Sequence, residues 1–597
     1  MRRVEAPAVS PNGKWTVVSV TEPAYEESEQ VSDLWLVSVD GSAPVRRLTQ
    51  TKSGESGASW SADSTRIAFS AKRDSDEAAQ IYLLDLTAPG EALRVTSIAT
   101  GASAPKFSPD GRSILFQSTV YPGAVDEESN RKAAAERKAR KYRARVYDGF
   151  PVRYWDKWLD DTQRHIFVQS VSPGSKPRDL LAGTRLAASA GFAGASTLSG
   201  QDLHPVWAPD GASVVFTATE NKNESAYGQV RTGLYQIPAE GGEPRRLTSG
   251  DSSYSRASFR PDGKALYAFE EAHTGGYNLE RIAMWKWPNP GQPSVVTAGF
   301  DRSVATFAYT PDSRRILLTA EDAGREKLYI VAAEGGQVRP AGDLKTGCFS
   351  NLASATASAR TVAVANFDSA VNPPEVVRID VESGKHSILT NFNTDRAAQL
   401  DLPPLREFWF TSSRGRKIHS MVALPAGFAE TKKYPLFVLI HGGPHSMWRD
   451  QWVTRWNYHL LAQPGYVVVL TNYTGSTGYG EKFAQQIQGD PLAGPGQELM
   501  EAADAAIQQF SFIDASRQAA GGASYGGHLA NWLQATTTRF KCLISHAGLI
   551  NLESQWGGSD TIFHREQGMG GPHWEGNKIW QEQNPVSTRR SSARRCL

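Results

Sequence analysis

Two patterns of apolar and polar positions divide the chain near residue 395. Before this point, short runs such as 66–70 and 213–217 alternate apolar and polar residues and are rich in β-branched side chains. Alternation with a period of two predicts strands that bury one face. After it, unbroken apolar runs alternate with segments that are apolar at helical spacing, which is typical of parallel strands covered by helices. We predict an all-β domain over residues 1–395 and an α/β domain over residues 396–597.

A short turn phrase recurs about every 50 residues in the first domain, a period typical of repeat architectures. It reads Ser-Pro-Asp-Gly or a close variant at 10–13, 61–64, 108–111, 208–211, 260–263 and 310–313, with a degenerate copy at 357–360. Proline presets φ, aspartate bonds its own backbone and glycine takes the left-handed conformation, so each copy predicts a turn. Seven turn-and-strand units predict a seven-bladed β-propeller, with an all-β solenoid as the alternative.

One gap between turn phrases is about twice as long as the others, and it predicts an insertion at about 120–200. Its first part, 126–142, is basic and rich in helix-forming residues, so we expect a solvated helix and not a nucleic-acid-binding arm. The following segment, 147–158, is dense in aromatic residues. Such residues pack against the domain in most proteins, and in an inserted arm they can also line a cleft.

The second domain begins with a predicted hairpin over 407–424. We predict buried strands at 434–440, 466–471 and 541–545, and an amphipathic helix at 497–510. Strands that alternate with helices indicate a mostly parallel sheet. The chain is therefore expected to combine a β-propeller with an α/β sheet domain.

Composition excludes several classes of function. The formal net charge is +2, with 64 Lys and Arg against 62 Asp and Glu, so we expect neither nucleic acid nor an anionic membrane as a partner. The three cysteines form no C-x-x-C, and we expect no metal, cofactor or disulfide framework. No apolar run is long enough to span a bilayer, and residues 1–7 lack the apolar core of a signal peptide. We expect a soluble protein, periplasmic or cytoplasmic, and its oligomeric state stays open.

The candidate chemistry lies in a G-x-S-x-G sequence at 522–526, which contains Ser524. A short strand-like segment at 516–521 precedes it and a segment apolar at helical spacing follows it at 528–534, the context that makes such a serine a nucleophile. A serine nucleophile needs two N–H donors aimed at the developing oxyanion. The amide of Tyr525, directly after the serine, can supply one. The amide of Gly443, in the His-Gly-Gly-Pro sequence after the strand 434–440, can supply the other.

These motifs, with Asn-Tyr-Thr-Gly-Ser-Thr-Gly-Tyr-Gly at 472–480, resemble the prolyl oligopeptidase family of serine peptidases over nearly the whole chain. Segments 522–533, 539–543 and 147–158 are most similar to the acylaminoacyl-peptidase and dipeptidyl-peptidase 5 branch. The resemblance implies an α/β-hydrolase domain that cleaves short peptides, with a propeller that restricts access. It implies Ser524 as the nucleophile, and the amides of Tyr525 and Gly443 as the oxyanion hole.

The resemblance does not extend to a catalytic base. The family's order is Ser, Asp, His, and after the strand 541–545 no further strand carrying the Asp or His is predicted. We interpret Asp560, His564 and His573 as loop residues. Three other histidines flank the motifs without matching the base, namely His441, His445 and His528. The triad Asp and His are therefore expected to be absent, the α/β domain to be incomplete at its C-terminus, and the chain to be inactive.

The last residues, 587–597, are rich in Arg and Ser and have no periodicity. They predict either a disordered basic tail or a frameshift that replaces the family's next strand. The function expected for the lineage is a serine peptidase that releases dipeptides or acylated amino acids, or cleaves oligopeptides. Two alternatives stay open, a non-catalytic propeller scaffold that binds peptides or partners, and an esterase on the same fold.

Overall fold

The computed structural model describes residues 1–26, 29–52, 54–73, 75–147, 149–195, 202–560 and 562–588. The tail predicted to be disordered or frameshifted lies mostly outside these residues, from 589 onward. Within the described part of the chain, no helix is both long and apolar enough to cross a membrane.

The first domain consists of seven antiparallel sheets in succession, which confirms the predicted seven-bladed β-propeller. A single parallel residue pair, Glu326 with Cys348, joins the sixth sheet to the seventh. In chain order the sheets contain Arg3–Val4, Ala8–Val9, Trp15–Glu22, Val31–Ser38 and Arg46–Arg47; Glu55–Trp60, Arg66–Ala71, Gln80–Asp85 and Leu93–Arg94; Ser103–Phe107, Ser113–Val120, Gln163–Ser170 and Arg178–Asp179; Val206–Trp207, Ser213–Ala218, Gly233–Pro238 and Arg245–Arg246; Ser253–Phe259, Ala265–Glu271, Glu280–Lys286 and Ser294–Val295; Val304–Tyr309, Arg315–Asp322, Arg325–Ala332 and Arg339–Pro340; Cys348–Ser354, Ala363–Asp368, Glu375–Ile379 and His386–Ile388.

The recurring turn phrase forms the same turn in six sheets. In each copy the fourth residue donates its N–H to the carbonyl of the first, as Gly111 does to Ser108 at 2.9 Å. Asp110 then accepts from the Ser108 hydroxyl at 2.6 Å and from the Arg112 amide at 3.0 Å. These bonds explain the aspartate in the phrase, because its carboxylate satisfies a hydroxyl and a backbone donor within the turn.

Packing and hydrogen bonds join the first sheet to the seventh. Val18 and Val20 share an apolar cluster with Val364 and Val376. The amide of Arg2 donates to the Asn393 side chain at 2.7 Å, which adds polar contacts at the same seam. The ring of blades is therefore closed.

The inserted segment joins the second and third strands of the third sheet, over residues 121–162. It is shorter than the predicted 120–200, because Gln163–Ser170 and Arg178–Asp179 belong to the sheet itself. Its helix, Glu127–Ala139, begins with a capping box between Asp126 and Ser129, and most of its charged residues face solvent as expected. A two-stranded hairpin follows, and we call this hairpin, Arg153–Tyr154 with Lys157–Trp158, the arm hairpin.

The second domain is built on a six-stranded mixed sheet. Its spatial order is Arg406–Thr411, Lys417–Ala423, Val467–Asn472, Tyr434–Ile440, Ile513–Ala523 and Cys542–His546. The first two strands are antiparallel and the last four are parallel to one another. The edge strand Cys542–His546 pairs on one side only among the described residues, and Ile544 is 46% exposed on it. The predicted α/β sheet is confirmed, and its open edge is apolar.

Helices cover both sides of this sheet. Among the described residues, the remaining helices are the α-helices Thr394–Ala397, Tyr458–Ala462, Glu481–Gln485, Ala493–Gln509, Tyr525–Thr536, Leu552–Gly558, Ile562–Met569 and Ile579–Glu582, and the 3-10 helices Lys222–Glu224 and His573–Glu575. The main core packs Leu499 and Leu533 from two helices against Leu436, Val438 and other strand residues. The domain boundary at 395 stays a prediction; the last propeller strand ends at Ile388 and the first strand of the mixed sheet begins at Arg406.

Candidate active site

Ser524 lies at a sharp turn between the strand Ile513–Ala523 and the helix Tyr525–Thr536. Its backbone has φ +58° and ψ −121°, which is costly for a residue with a side chain. The Ser524 amide donates to the His546 carbonyl at 2.9 Å, and its carbonyl accepts from the His528 amide at 3.0 Å. The strand, turn and helix expected from the sequence are therefore present, and hydrogen bonds to neighbouring backbone stabilise the strained conformation of Ser524.

Glycines around the serine allow the turn to pack against two neighbouring strands. A Cβ at Gly522 would lie 2.4 Å from the Ile440 carbonyl oxygen, and a Cβ at Gly527 would lie 2.7 Å from the His546 carbonyl oxygen. Both distances are shorter than carbon and oxygen tolerate. The motif needs glycine at these positions because backbone occupies the space of a side chain.

The His-Gly-Gly-Pro loop lies directly beside the serine. It follows the strand Tyr434–Ile440, which pairs in parallel with the strand leading to Ser524, with Ile440 opposite Gly522. A Cβ at Gly442 would lie 3.5 Å from the Ser524 Cβ, and Gly443 has φ +117°. The register of two strands therefore brings residues 441–443 and 524 together, although 80 residues separate them in sequence.

Gly443, Ser524 and Tyr525 line one cavity of about 520 Å³. Within the described ranges, neither the Gly443 amide nor the Tyr525 amide donates to another protein group. Tyr525 is the first residue of its helix, where backbone N–H groups have no partner inside the helix. Two unused donors thus border the cavity that contains the serine.

His441 has a structural position beneath the loop. Its ring stacks on Tyr473 at 4.2 Å, and its Nε2 lies 3.0 Å from the Ser476 hydroxyl. The Tyr473 hydroxyl donates to the His441 carbonyl at 2.7 Å. Burial lowers the pKa of His441 to about 4, so the ring is neutral near pH 7. These contacts fix the start of the His-Gly-Gly-Pro loop.

The rings of two further histidines border the site without bonding to the Ser524 hydroxyl. His528 lines the serine's cavity, and burial, with the charge of Arg565, lowers its pKa to about 3. His445 stacks on Tyr277 of the propeller at 5.2 Å between ring centroids. Neither ring is joined to the serine by a hydrogen bond, so both fit the interpretation that they are not the base.

The acidic and basic residues after the serine are also engaged elsewhere. Asp560 pairs with Arg153 of the arm hairpin at 2.9 Å, and His573 packs among Trp556, Trp574 and Trp580. The interpretation of these residues as loop structure is wrong in part, because His564 lies in the helix Ile562–Met569 and His573 begins a 3-10 helix. Across the described ranges, no hydrogen bond joins the Ser524 hydroxyl to an imidazole or a carboxylate.

Residues from both domains line the space around Ser524. Trp155 of the arm hairpin lines the serine's cavity and a second cavity of about 550 Å³, which also reaches Ser524 and His546. The aromatic segment of the insertion therefore lines a cleft, one of the two outcomes considered for it. A third cavity, of about 400 Å³, reaches Gly443 from the propeller side and is lined by Tyr277 and Arg565. Sequence reasoning named Trp155 only as part of the aromatic segment 147–158, and it did not find Tyr277, His546 or Arg565, because no local motif marks them.

A polar cluster joins the two domains on another side of the site. Arg449 bridges Glu321 and Glu326 of the propeller at 2.9 and 2.7 Å. Asp450 accepts from the amides of Gly347 and Ala370 at 2.7 and 2.8 Å. We call this set, with Asp368, the interdomain cluster.

Asp368 is the buried acid of the interdomain cluster. Its carboxylate accepts from the Trp452 amide at 2.8 Å. Burial raises the pKa of Asp368 to about 7. Its charge state therefore changes near neutral pH, at a position where the domains meet.

Comparison with known proteins finds a family model and relatives that this chain resembles. Residues 452–596 match the model of the prolyl oligopeptidase family. Dipeptidyl-peptidase 5 of Porphyromonas gingivalis is 28% identical over 588 residues, which cover 97% of this chain and 82% of that protein. Dipeptidyl-peptidase 5 of Schizosaccharomyces pombe is 27% identical over 459 residues, 74% of this chain and 64% of that one. The chain therefore matches less than two thirds of the length of the fungal relative.

A solved structure has the same arrangement of domains. Acylaminoacyl peptidase of Pyrococcus horikoshii superposes with a TM-score of 0.75 at 18% identity, over 98% of this chain and 84% of that one. At this identity the superposition supports the fold alone. With the family match over residues 452–596 and the sequence similarity across both domains, it leads to one conclusion: the chain is similar to the prolyl oligopeptidase family of serine peptidases in both of its domains.

Proposed function

We propose that the protein hydrolyses short peptides through Ser524 and an acyl-enzyme. The Ser524 oxygen attacks the peptide carbonyl carbon, the C–N bond breaks, and the amine leaves with a proton. Water then attacks the resulting ester, which releases the acid and restores the serine. The observation that carries this proposal is the position of Ser524 at a strained turn, beside two backbone amides without protein partners.

The amides of Tyr525 and Gly443 form the oxyanion hole in this proposal. Each is a fixed N–H dipole at the wall of the serine's cavity, and such dipoles stabilise the negative oxygen of the tetrahedral intermediate without reorganising. Loss of one such donor in a serine peptidase lowers kcat by about 10²–10³.

The described part of the chain does not contain a complete catalytic triad in this proposal. No imidazole in the described part of the chain accepts the Ser524 proton, and His528, the ring nearest in sequence, has a pKa too low for an efficient base at neutral pH. Without base and orienting carboxylate, we expect kcat to be lower by about 10⁶. A rate of about 10³–10⁴ over water is expected to remain from the oxyanion hole and substrate binding.

The substrate class follows from the enclosure of the serine. The arm hairpin lines two cavities at Ser524, of about 520 and 550 Å³, and residues of the propeller blades line the neighbouring cavity of about 400 Å³. Cavities of this size have room for a few residues and not for a folded protein. The relatives named above are a dipeptidyl-peptidase and an acylaminoacyl peptidase, which supports release of short N-terminal units. Oligopeptide cleavage fits the same cavities.

A paired measurement tests the nucleophile and the triad separately. A peptidyl boronic acid forms a tetrahedral adduct with a serine placed at an oxyanion hole, visible by boron NMR and by intact mass. We expect the adduct in the chain and none in Ser524→Ala. Absence of an adduct in both proteins would contradict the nucleophile proposal.

Turnover of dipeptidyl, acyl-aminoacyl and simple ester substrates completes the test. We expect no substrate to reach the kcat of about 1–10³ s⁻¹ that is common for enzymes. Full turnover that disappears in Ser524→Ala would refute the incomplete triad and leave the nucleophile standing. Full turnover of esters alone would indicate an esterase instead.

A further inference from the structure

Arg565 lies on the helix Ile562–Met569 and borders the serine from the propeller side. It lines the cavity that contains Ser524 and Tyr525, and also the neighbouring cavity that reaches Gly443 and Tyr277. Its guanidinium is therefore a positive charge shared by two spaces that meet at the proposed oxyanion hole.

No group among the described residues neutralises this charge. Within the described ranges, Arg565 has no carboxylate within ion-pair distance, and its Nε is shut off from solvent without a hydrogen-bond partner. Arg153, the other guanidinium at this cavity, is paired with Asp560 at 2.9 Å. Arg565 is thus the unpaired cation of the two, and a buried guanidinium without a partner costs free energy that a bound anion recovers.

The titratable neighbours of Arg565 do not supply a counter-charge. His528 and Tyr277, which lie on facing elements, are neutral near pH 7, because burial lowers the pKa of the first and raises that of the second. Glu271 lines the cavity on the propeller side, and burial with the charge of Glu280 raises its pKa to about 7. Glu271 makes no ion pair with Arg565, so the Arg565 guanidinium is available to bind an anion.

We infer that Arg565 binds a carboxylate of the peptide and gives the site a preference for substrates that carry one close to Ser524. The inference rests on the proposed function, since the occupant is a peptide held beside the serine. The planar guanidinium suits a carboxylate because two parallel N–H groups meet its two oxygens. The carboxylate comes either from an acidic side chain or from the C-terminus of a short peptide, and both have the same chemistry.

Equilibrium binding of four small peptides separates these sources. In Ser524→Ala, which prevents turnover, calorimetry compares Ala-Asp-amide with Ala-Asn-amide, and Ala-Ala with Ala-Ala-amide. A preference in the first pair assigns the side chain, and a preference in the second assigns the terminus. We expect the carboxylate member of one pair to bind about tenfold tighter or more, the usual range for a hydrogen-bonded charge pair.

Variants identify the group responsible. In the Ser524→Ala background, Arg565→Gln should reduce the preference to less than about twofold, and Arg565→Lys should retain part of it, because the charge stays while the second N–H group is lost. Arg185→Gln, which removes an exposed guanidinium from the propeller surface, should leave the preference unchanged. Circular dichroism and thermal melting report whether Arg565→Gln folds.

The peptide affinities test the inference even without the Arg565→Gln variant. Equal affinities within both pairs, or no binding of any peptide, would overturn the inference even if Arg565→Gln failed to fold. A preference that persists in a folded Arg565→Gln would also overturn it. Equal peptide affinities together with a boronate adduct at Ser524 would contradict this inference and keep the proposed function. A preference for the carboxylate peptide without a boronate adduct would support the binding role of Arg565 and contradict Ser524 as the nucleophile.

Discussion

Gly526 approaches Ile440 so closely that a Cβ on the glycine would lie 2.3 Å from the Ile440 carbonyl oxygen. This contact holds the first turn of the helix Tyr525–Thr536 against the end of a central strand, and Gly526 directly follows the residue proposed to donate to the oxyanion. We expect Gly526→Ala to destabilise the protein by about 1–3 kcal/mol, because the obstacle is backbone and cannot rotate away. Denaturant unfolding measures the change.

The matched control is Gly557→Ala in the helix Leu552–Gly558, where an added Cβ meets no atom within 4 Å. There we expect no loss of stability, or a gain of up to about 1 kcal/mol from the better helix former. Equal stability of Gly526→Ala and the wild type would contradict the close contact.

Removal of the Tyr473 hydroxyl should loosen the loop that contains Gly443. In Tyr473→Phe the His441 carbonyl loses the donor that lies 2.7 Å away, and the group stays buried. We expect a loss of about 1–3 kcal/mol in the free energy of unfolding. Tyr466→Phe is the control, because its hydroxyl bonds to no described residue. A similar small effect of both substitutions would show that the hydroxyl does not support the loop.

The ion pair between Arg153 and Asp560 should control the mobility of the arm hairpin more than the global stability. Arg153→Met removes this pair and the bond from Arg153 to the Gly558 carbonyl at 2.5 Å. Exposed pairs contribute about 0–1 kcal/mol, so we expect little change in thermal unfolding. Amide hydrogen exchange over residues 149–162 should become faster. Lys157→Met, a substitution in the same hairpin, should leave exchange unchanged, and unchanged exchange in Arg153→Met would rule out the tether.

Asp368 should make stability fall as pH rises through the acid range. Burial raises its pKa from 3.8 to about 7, opposed by the Trp452 amide and Arg449 and assisted by Glu326 and Asp450. Between about pH 4 and pH 7 the folded protein therefore holds a proton that the unfolded chain releases. The stability due to this proton is present below pH 4 and is lost as pH approaches 7, by roughly 4 kcal/mol at most.

Asp368→Asn tests this dependence, since asparagine keeps an acceptor for the Trp452 amide and does not ionise. We expect a flatter plot of unfolding free energy against pH between 4 and 7 than in the wild type. Asp251→Asn, at an exposed carboxylate of the propeller, should reproduce the wild-type slope. Parallel curves for Asp368→Asn and the wild type would contradict the raised pKa.

Local sequence determined most of the fold. The strand Tyr434–Ile440 was predicted to the residue, because an apolar run of that kind has few alternatives to a buried parallel strand. The strand before Ser524 was predicted at 516–521 and extends over Ile513–Ala523. Its alanines and glycines have low β propensity. The length of this strand is therefore set by pairing with two neighbouring strands, and not by local preference.

Only the site residues that belong to sequence motifs could be predicted. Ser524, Tyr525 and Gly443 stand in patterns whose glycines reflect close backbone packing, and the structure brings them to one cavity. Tyr277 and Arg565 are almost 300 residues apart, and they meet because a propeller blade faces a helix of the other domain. No periodicity or spacing encodes such a meeting, because it depends on how two separately folded domains dock.

Trp155 forms part of the wall of both cavities that reach Ser524, and it belongs to an arm anchored in the propeller. Volumes of about 520 and 550 Å³ lie in the range that encloses a drug-sized ligand. Each domain forms one wall of these cavities. The width of the cavities is therefore set by the position of one domain relative to the other. A small rotation of one domain against the other therefore changes the longest peptide that fits, while Ser524 and the two amides proposed as the oxyanion hole keep their positions relative to one another.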